Sequence, residues 1–356
     1  MKKILQITGA LFLVTLMVSA KPGNSEKAGK QLGIATYSVK GLESDIEGSF
    51  KALAEDGYVV MEISNYNAAN GTVANYKPAE YAALAKKYGL TIISSHARAK
   101  FSADDPQGTV DAWGKVFDDH KAMGCKYVVF PMNTWSNNPE TLKKECDLMN
   151  QIGDEANKRG LKFGYHNHSM EFATIPGVNK TFEDFLIDNT DPSKVFFQLD
   201  VYWSSVGGQD PVAYLQKYPK RIQVLHIKDE YVIGESGTID YKAIFTQFYK
   251  NGYKDWFVEM EAKMTPEQRK QSLERMEAMK KRMSEGGPNP MAGGPQGGQR
   301  PQGGQPQGGQ PRQGAGQTPP PGFGPQDPAK VAEQLKTSLE GIKASADYLK
   351  NCDFVK

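Results

Sequence analysis

The stretch FGYHNHSMEF, residues 163–172, decides how the rest of the chain is read. A short apolar run ends in His166, Asn167 and His168, with Glu171 just beyond. That composition is expected where a buried strand opens onto a polar site. Three later apolar runs end in the same manner. Residues 196–199 lead into Asp200, 222–225 into His226, and 256–258 into Glu259, with Glu261 two positions on. Carboxylates and imidazoles at the ends of separate strands form a donor set suited to a divalent cation.

Working outward, strand-like runs at 33–39, 58–63, 90–95 and 127–131 precede this stretch, and amphipathic segments separate them. The helix expected from Pro78 presents Tyr81, Leu84 and Tyr88 on one face and is closed by Gly89. Proline in the first turn and glycine past the last is the usual asymmetry of helix ends. Eight such β/α alternations, with strands lacking a polar face, predict an α/β fold of the closed (β/α)8 TIM-barrel class. An open doubly wound sheet is the alternative, but no glycine-rich phosphate turn follows the first strand.

The barrel is expected to occupy 31–262 together with 328–352. Between them, 263–327 hold a charged, methionine-bearing helical stretch and then a Gly/Pro/Gln tract with GGQ repeats. So little apolar surface predicts a disordered insertion before the last helix. Leu335, Leu339, Ile342, Ala346 and Leu349 then fall on one stripe, which supplies the missing eighth helix.

At the start, Lys2 and Lys3 precede the apolar run 4–18 and the small-residue site Val18-Ser19-Ala20. This pattern predicts a signal peptide over 1–20 and an exported, periplasmic protein. Thr8, Gly9 and Thr15 break the run, so stable membrane insertion is not expected. A formal net charge of +2 argues against a nucleic-acid partner, which calls for a concentrated basic surface. Of Cys125, Cys146 and Cys352, Cys146 shares a helix face with Leu142, Met149, Ile152 and Ala156, predicting a buried thiol.

Barrel active sites gather at the C-terminal ends of the strands. Glu62, His96, His166, His168, Glu171, Asp200, His226, Lys228, Glu259 and Glu261 are all expected there. The chain has five histidines, and four lie in this set; His120 sits mid-helix and is left out. Carboxylates with one imidazole suit Mn²⁺ or Mg²⁺, with Zn²⁺ as the further choice. Removing a proton beside a carbonyl builds negative charge on its oxygen, which a cation stabilises as a carboxylate or histidine moves the proton. Trp203, Tyr202 and Trp135 read either as core aromatics or as a wall on which a sugar stacks.

The segments YHNHSMEF, LDVYWSSVGGQDPVAYLQKYPKRIQVLHIKD, GESGTIDYKAIF and WFVEME resemble the sugar phosphate isomerase/epimerase family of xylose isomerase-like TIM barrels, relatives of inosose dehydratases and ketose 3-epimerases. The resemblance implies a metal held by Glu, Asp, His and Glu from strands five to eight. Carried over, these are Glu171 (in preference to His166), Asp200, His226 and Glu259, with Glu261 in reserve. It implies catalytic roles for Glu171, Glu259, His166 and Lys228, and substrate contacts from Glu62, His96, His168 and Trp203. The implied function is an exported, metal-dependent sugar isomerase or epimerase that abstracts an α-proton. A lyase or dehydratase on a keto-sugar, such as a 3-keto-glycoside, shares that first step. A non-catalytic carbohydrate-binding barrel is the alternative of another class. The expected partner is a small carbohydrate, and an oligomer is left open.

Overall fold

In the computed structural model, which describes residues 30–286 and 327–356, eight parallel strands close on themselves. The chain runs β1 (Leu32–Ala35), α1 (Ile46–Glu55), β2 (Tyr58–Ile63), a small hairpin of β3 (Tyr66–Asn67) and β4 (Thr72–Val73), and α2 (Pro78–Lys87). It continues with β5 (Thr91–His96), α3 (Pro106–Met123), β6 (Tyr127–Phe130), α4 (Pro139–Asn157), β7 (Lys162–His166) and α5 (Phe182–Asn189). Then follow β8 (Val195–Asp200), α6 (Val201–Val206), α7 (Pro211–Lys217), β9 (Ile222–Lys228), α8 (Tyr241–Lys250), β10 (Asp255–Glu259), α9 (Pro266–Ser284) and α10 (Pro328–Asn351). Around the barrel the order is β1-β10-β9-β8-β7-β6-β5-β2, and Ile34 opposite Val258 makes the closing seam. This is the predicted (β/α)8 barrel.

The helices start where the sequence supplies a cap. Asp45, Asp105, Asn138, Thr181, Asp210, Asp240, Thr265 and Asp327 each accept a hydrogen bond from a backbone N–H of the first turn. Several are followed at once by proline, which has no N–H to leave unpaired. Outward-facing strand residues pack under the helices in one large apolar cluster that includes Phe163, Phe197 and Trp256. Inside the barrel, Ala35, Val60, Tyr127, Val129, Phe196, Val224 and Phe257 fill the lower half. Two glycines make that fit. A Cβ on Gly33 would lie 2.1 Å from the Trp256 carbonyl oxygen, and one on Gly164 would lie 2.6 Å from the Phe196 ring.

The structure departs from the sequence reading at particular elements. The first strand ends at Ala35 rather than at residue 39, because the chain turns into a 3₁₀ turn at Thr36–Ser38. The β3–β4 hairpin was not expected; two-residue strands carry no readable period. Helix α9 is not simply a solvated stretch, since its Met283 is buried and Lys280 Nζ donates to the Gly207 carbonyl at 3.0 Å. The stripe of α10 packs as read, with Leu335, Ile342, Ala346 and Leu349 buried. Tyr58 and Tyr231 fasten it by donating to the carbonyls of Ile342 (3.0 Å) and Thr337 (2.8 Å). Cys146 is a buried free thiol. No helix of the described residues is long and apolar enough to cross a membrane. The expected signal peptide and the Gly/Pro/Gln tract lie outside the described residues.

Candidate active site at the barrel mouth

Strand parity aims alternate side chains inward, so a strand that ends at the mouth delivers its last inward residues there. The residues delivered are Glu62 on β2, His96 on β5, His166 on β7, Gln198 and Asp200 on β8, His226 and Lys228 on β9, and Glu259 on β10. All are buried except His96, which is partly so.

Glu62 sits at the centre. One carboxylate oxygen accepts from His226 Nε2 at 2.6 Å and lies 3.1 Å from His96 Nε2; the other accepts from Ser94 Oγ at 2.7 Å and Gln198 Nε2 at 2.8 Å. Burial alone would raise its pKa, but the two imidazoles outweigh that and hold it down at about 2. His226 lies between two acids, its Nδ1 being 2.9 Å from Glu259 Oε2. Desolvation opposes charge on this ring, yet Glu62 and Glu259 raise its pKa to about 10. Lys228 Nζ donates to Glu259 at 2.6 Å and to Glu261 at 2.7 Å. Its burial would favour the neutral amine, and Glu259, Asp200 and Glu261 reverse that.

Gln198 orients the histidines. Its Oε1 accepts from His96 Nε2 at 2.8 Å and from His166 Nδ1 at 3.1 Å. These partners assign His166 the tautomer with its lone pair on Nε2. Burial holds His166 well below the ordinary histidine value, so the ring is neutral. The rings of His96, His166 and His226 lie within 4.7–5.0 Å of one another, centroid to centroid.

Among the described residues two groupings could hold a cation, His96 with His166 and His226, and Asp200 with His226 and Glu259; in each, the ligand atoms lie within 4.8 Å of one another. The second fits a divalent metal by its donors, two carboxylates and an imidazole. It also carries unmet bonding capacity. Asp200 Oδ1 caps α6 by accepting from the Trp203 N–H at 2.7 Å, while Asp200 Oδ2 is buried without a hydrogen-bond partner. Asn167 braces the backbone that carries this carboxylate, its Oδ1 accepting from the Asp200 N–H at 3.0 Å.

The structure does not bring Glu171, the expected first metal ligand, into either grouping. It lies in a 3₁₀ turn at Met170–Phe172, which folds its carboxylate back under the strand end. There it accepts from Tyr165 Oη at 2.6 Å and from the His168 N–H at 2.8 Å. Glu261 lies past the end of β10 and is held by Lys228 and by Tyr37 Oη at 3.0 Å. His168 and Trp203 stand side by side, 6.2 Å between ring centroids, and Lys228 Nζ is 5.0 Å from the indole centroid. Glu62, expected to contact substrate, is instead enclosed by its hydrogen-bond partners. Gln198 was missed, although it shares the inward parity of Asp200, which was the available signal; Asn167 was noted in the polar stretch but given no role. His120 is outside the site, bonded to the Val116 carbonyl and Ser95 Oγ.

A closed parallel barrel with its acids and imidazoles on the C-terminal rim defines the (β/α)8 class and places the candidate site where barrel active sites lie. The chain belongs to the xylose isomerase-like TIM barrel family, whose model matches residues 50–282. It is 27% identical over 217 residues to the inosose dehydratase of Geobacillus thermodenitrificans, spanning 50% of this chain and 71% of that one. A crystal structure of a sugar phosphate isomerase/epimerase from Parabacteroides distasonis matches at 27% identity and a TM-score of 0.69, over 93% of this chain and 99% of that one. The zinc-bound IOLI protein shares the fold at 18% identity and a TM-score of 0.51, over 71% and 96% of the two chains. The relatives matched are sugar-modifying enzymes.

Proposed function

We propose that this protein is a divalent-metal-dependent isomerase or epimerase of small carbohydrates. The observation that carries the reading is the buried Asp200, His226 and Glu259 group with its unpartnered Asp200 oxygen. Those three residues would hold the cation, and binding would displace the extra proton on His226. When bound, a divalent cation supplies Lewis-acid stabilisation of negative charge growing on a substrate carbonyl oxygen.

The chain's own residues do the rest. His166, turned by Gln198, presents Nε2 as the proton acceptor beside the carbonyl. Lys228 keeps Glu259 ionised and sets a positive charge against the developing oxyanion. His168 and Trp203 form the wall on which the sugar lies, the indole face suiting its C–H surface. Returning the proton to the same intermediate gives isomerisation or epimerisation. Expelling a β-hydroxyl instead gives dehydration, a second reading that the match to inosose dehydratases favours. A product lighter by one water separates the two. The signal pattern at 1–20 supports export, and cell fractionation tests it.

The deciding experiment is elemental analysis of the full chain beside Asp200→Asn and His226→Ala, with solvent deuterium exchange into keto-sugars. About one Mn, Mg or Zn per chain, lost together with exchange in both variants, is the expected result. A parent protein that binds no metal even after Mn²⁺ is added would overturn the mechanism and leave a sugar-binding barrel.

A further inference from the structure

Beside the charged cluster lies a small cavity of about 20 Å³, between the 3₁₀ turn after β7 and the end of α9. Trp135, Met170 and Met283 give it an apolar wall, and Asn133, His168 and Glu171 give it polar groups. Asn133 Nδ2 and His168 Nδ1 are both buried without a hydrogen-bond partner. Burying polar atoms unpaired is costly, so two of them lining one cavity mark where a ligand's oxygens belong. His168 joins the cavity to the reaction centre, its ring centroid being 4.9 Å from that of His166. The other polar groups are braced: Tyr165 Oη accepts from Trp135 Nε1 at 3.0 Å and donates to Glu171.

As it stands the cavity has room for about one water-sized group, far less than a ring. Met283 limits it. This is the buried residue of α9, a helix also seated by the half-buried Met279, by Lys280 Nζ on the Gly207 carbonyl and by the partly buried Arg269–Glu230 pair. An unbranched thioether has three rotatable bonds, and a change of its rotamer would deepen the cavity without moving the helix.

Building on the proposed sugar chemistry, we propose that this cavity is a second substrate subsite that takes the apolar-ring aglycone of a glycoside. Met283 sets its depth, and Asn133 and His168 hydrogen-bond the oxygens near the glycosidic link. A free monosaccharide, hydroxylated on every side, leaves the Trp135 and Met170 wall unmatched. A glycoside with a flat apolar aglycone uses both the wall and the unpaired atoms.

Calorimetric titration of the full chain with phenyl β-D-glucoside and with D-glucose tests this, in the parent, Met283→Ala and Asn133→Ala. The parent should bind the phenyl glucoside more tightly than glucose. Met283→Ala should tighten the phenyl glucoside about tenfold and leave glucose unchanged, in line with the effect of a small change in pocket size. Asn133→Ala, with its melting temperature intact, should weaken the phenyl glucoside severalfold. Equal affinity for the two ligands in both the parent and Met283→Ala would overturn the subsite, as would no binding of the phenyl glucoside to either. The binding comparison does not depend on turnover, so a failure of the metal chemistry is read separately in the elemental analysis.

Discussion

The two ends of the barrel handle buried charge in opposite ways. At the floor, Asp255 at the start of β10 accepts from Lys126 Nζ at 2.6 Å and Tyr127 Oη at 2.7 Å, beneath an interior filled by Phe196 and Phe257. One acid meets one cation and one phenol, and Lys126 is half exposed to solvent. At the mouth, Glu62, Asp200, Glu259 and Glu261 crowd around Lys228 and a single charged imidazole, with an oxygen of Asp200 left unpartnered. The floor is balanced and therefore structural. The mouth carries an excess of acid in a buried place, an arrangement that ordinarily persists only where a further positive group is to be received.

That contrast can be broken most sharply at Lys228. Removing the ammonium in Lys228→Met leaves buried carboxylates uncompensated, and chemical denaturation should show a loss of about 3–5 kcal/mol. Saturating Mn²⁺ should restore part of it, whereas a loss that Mn²⁺ leaves untouched would count against a cation-receiving mouth. The next effect is smaller and separates the histidines. Burial lowers His120 to about 4, and its neutral ring uses both nitrogens, one toward the Val116 carbonyl and one toward Ser95. Because the folded value lies below the unfolded one, its contribution is full above about pH 6.5 and is lost as pH falls through about 4. His120→Gln should cost about 2 kcal/mol at pH 7 and flatten the fall of melting temperature between those pH values. The smallest effect is at the floor. Lys126→Met should cost no more than about 1 kcal/mol by denaturation and leave metal content unchanged.

Much of this was legible because the barrel delivers its site at strand ends, and the end of an apolar run is visible in sequence. Asp200, His226 and Glu259 each close such a run, and the structure brings them together. Glu171 was harder. A glutamate shortly past a strand end reads as a ligand unless the intervening turn is known, and here a 3₁₀ turn folds it back toward Tyr165. Gln198 escaped notice because an amide does not announce chemistry, although it turns two imidazoles at once. The seating of α9 was hidden for a different reason. Only a thin line of half-buried residues, among them Leu273, Met276 and Met279, faces the barrel beside Met283, and dense charge conceals the period.

Helix α10 carries a consequence for how the molecule comes into being. Its hydrogen bond from Tyr58 to Ile342 spans 284 positions of sequence, and its side chains pack beside α1 near the other end of the chain. The first β/α unit therefore waits, during synthesis, for a neighbour that is made long after it. Until then its apolar flank is open to chaperones, to proteases and to other copies of itself. A stop codon just before residue 328 would remove none of the groups at the mouth and would still leave the barrel without the helix that covers α1 and Tyr58.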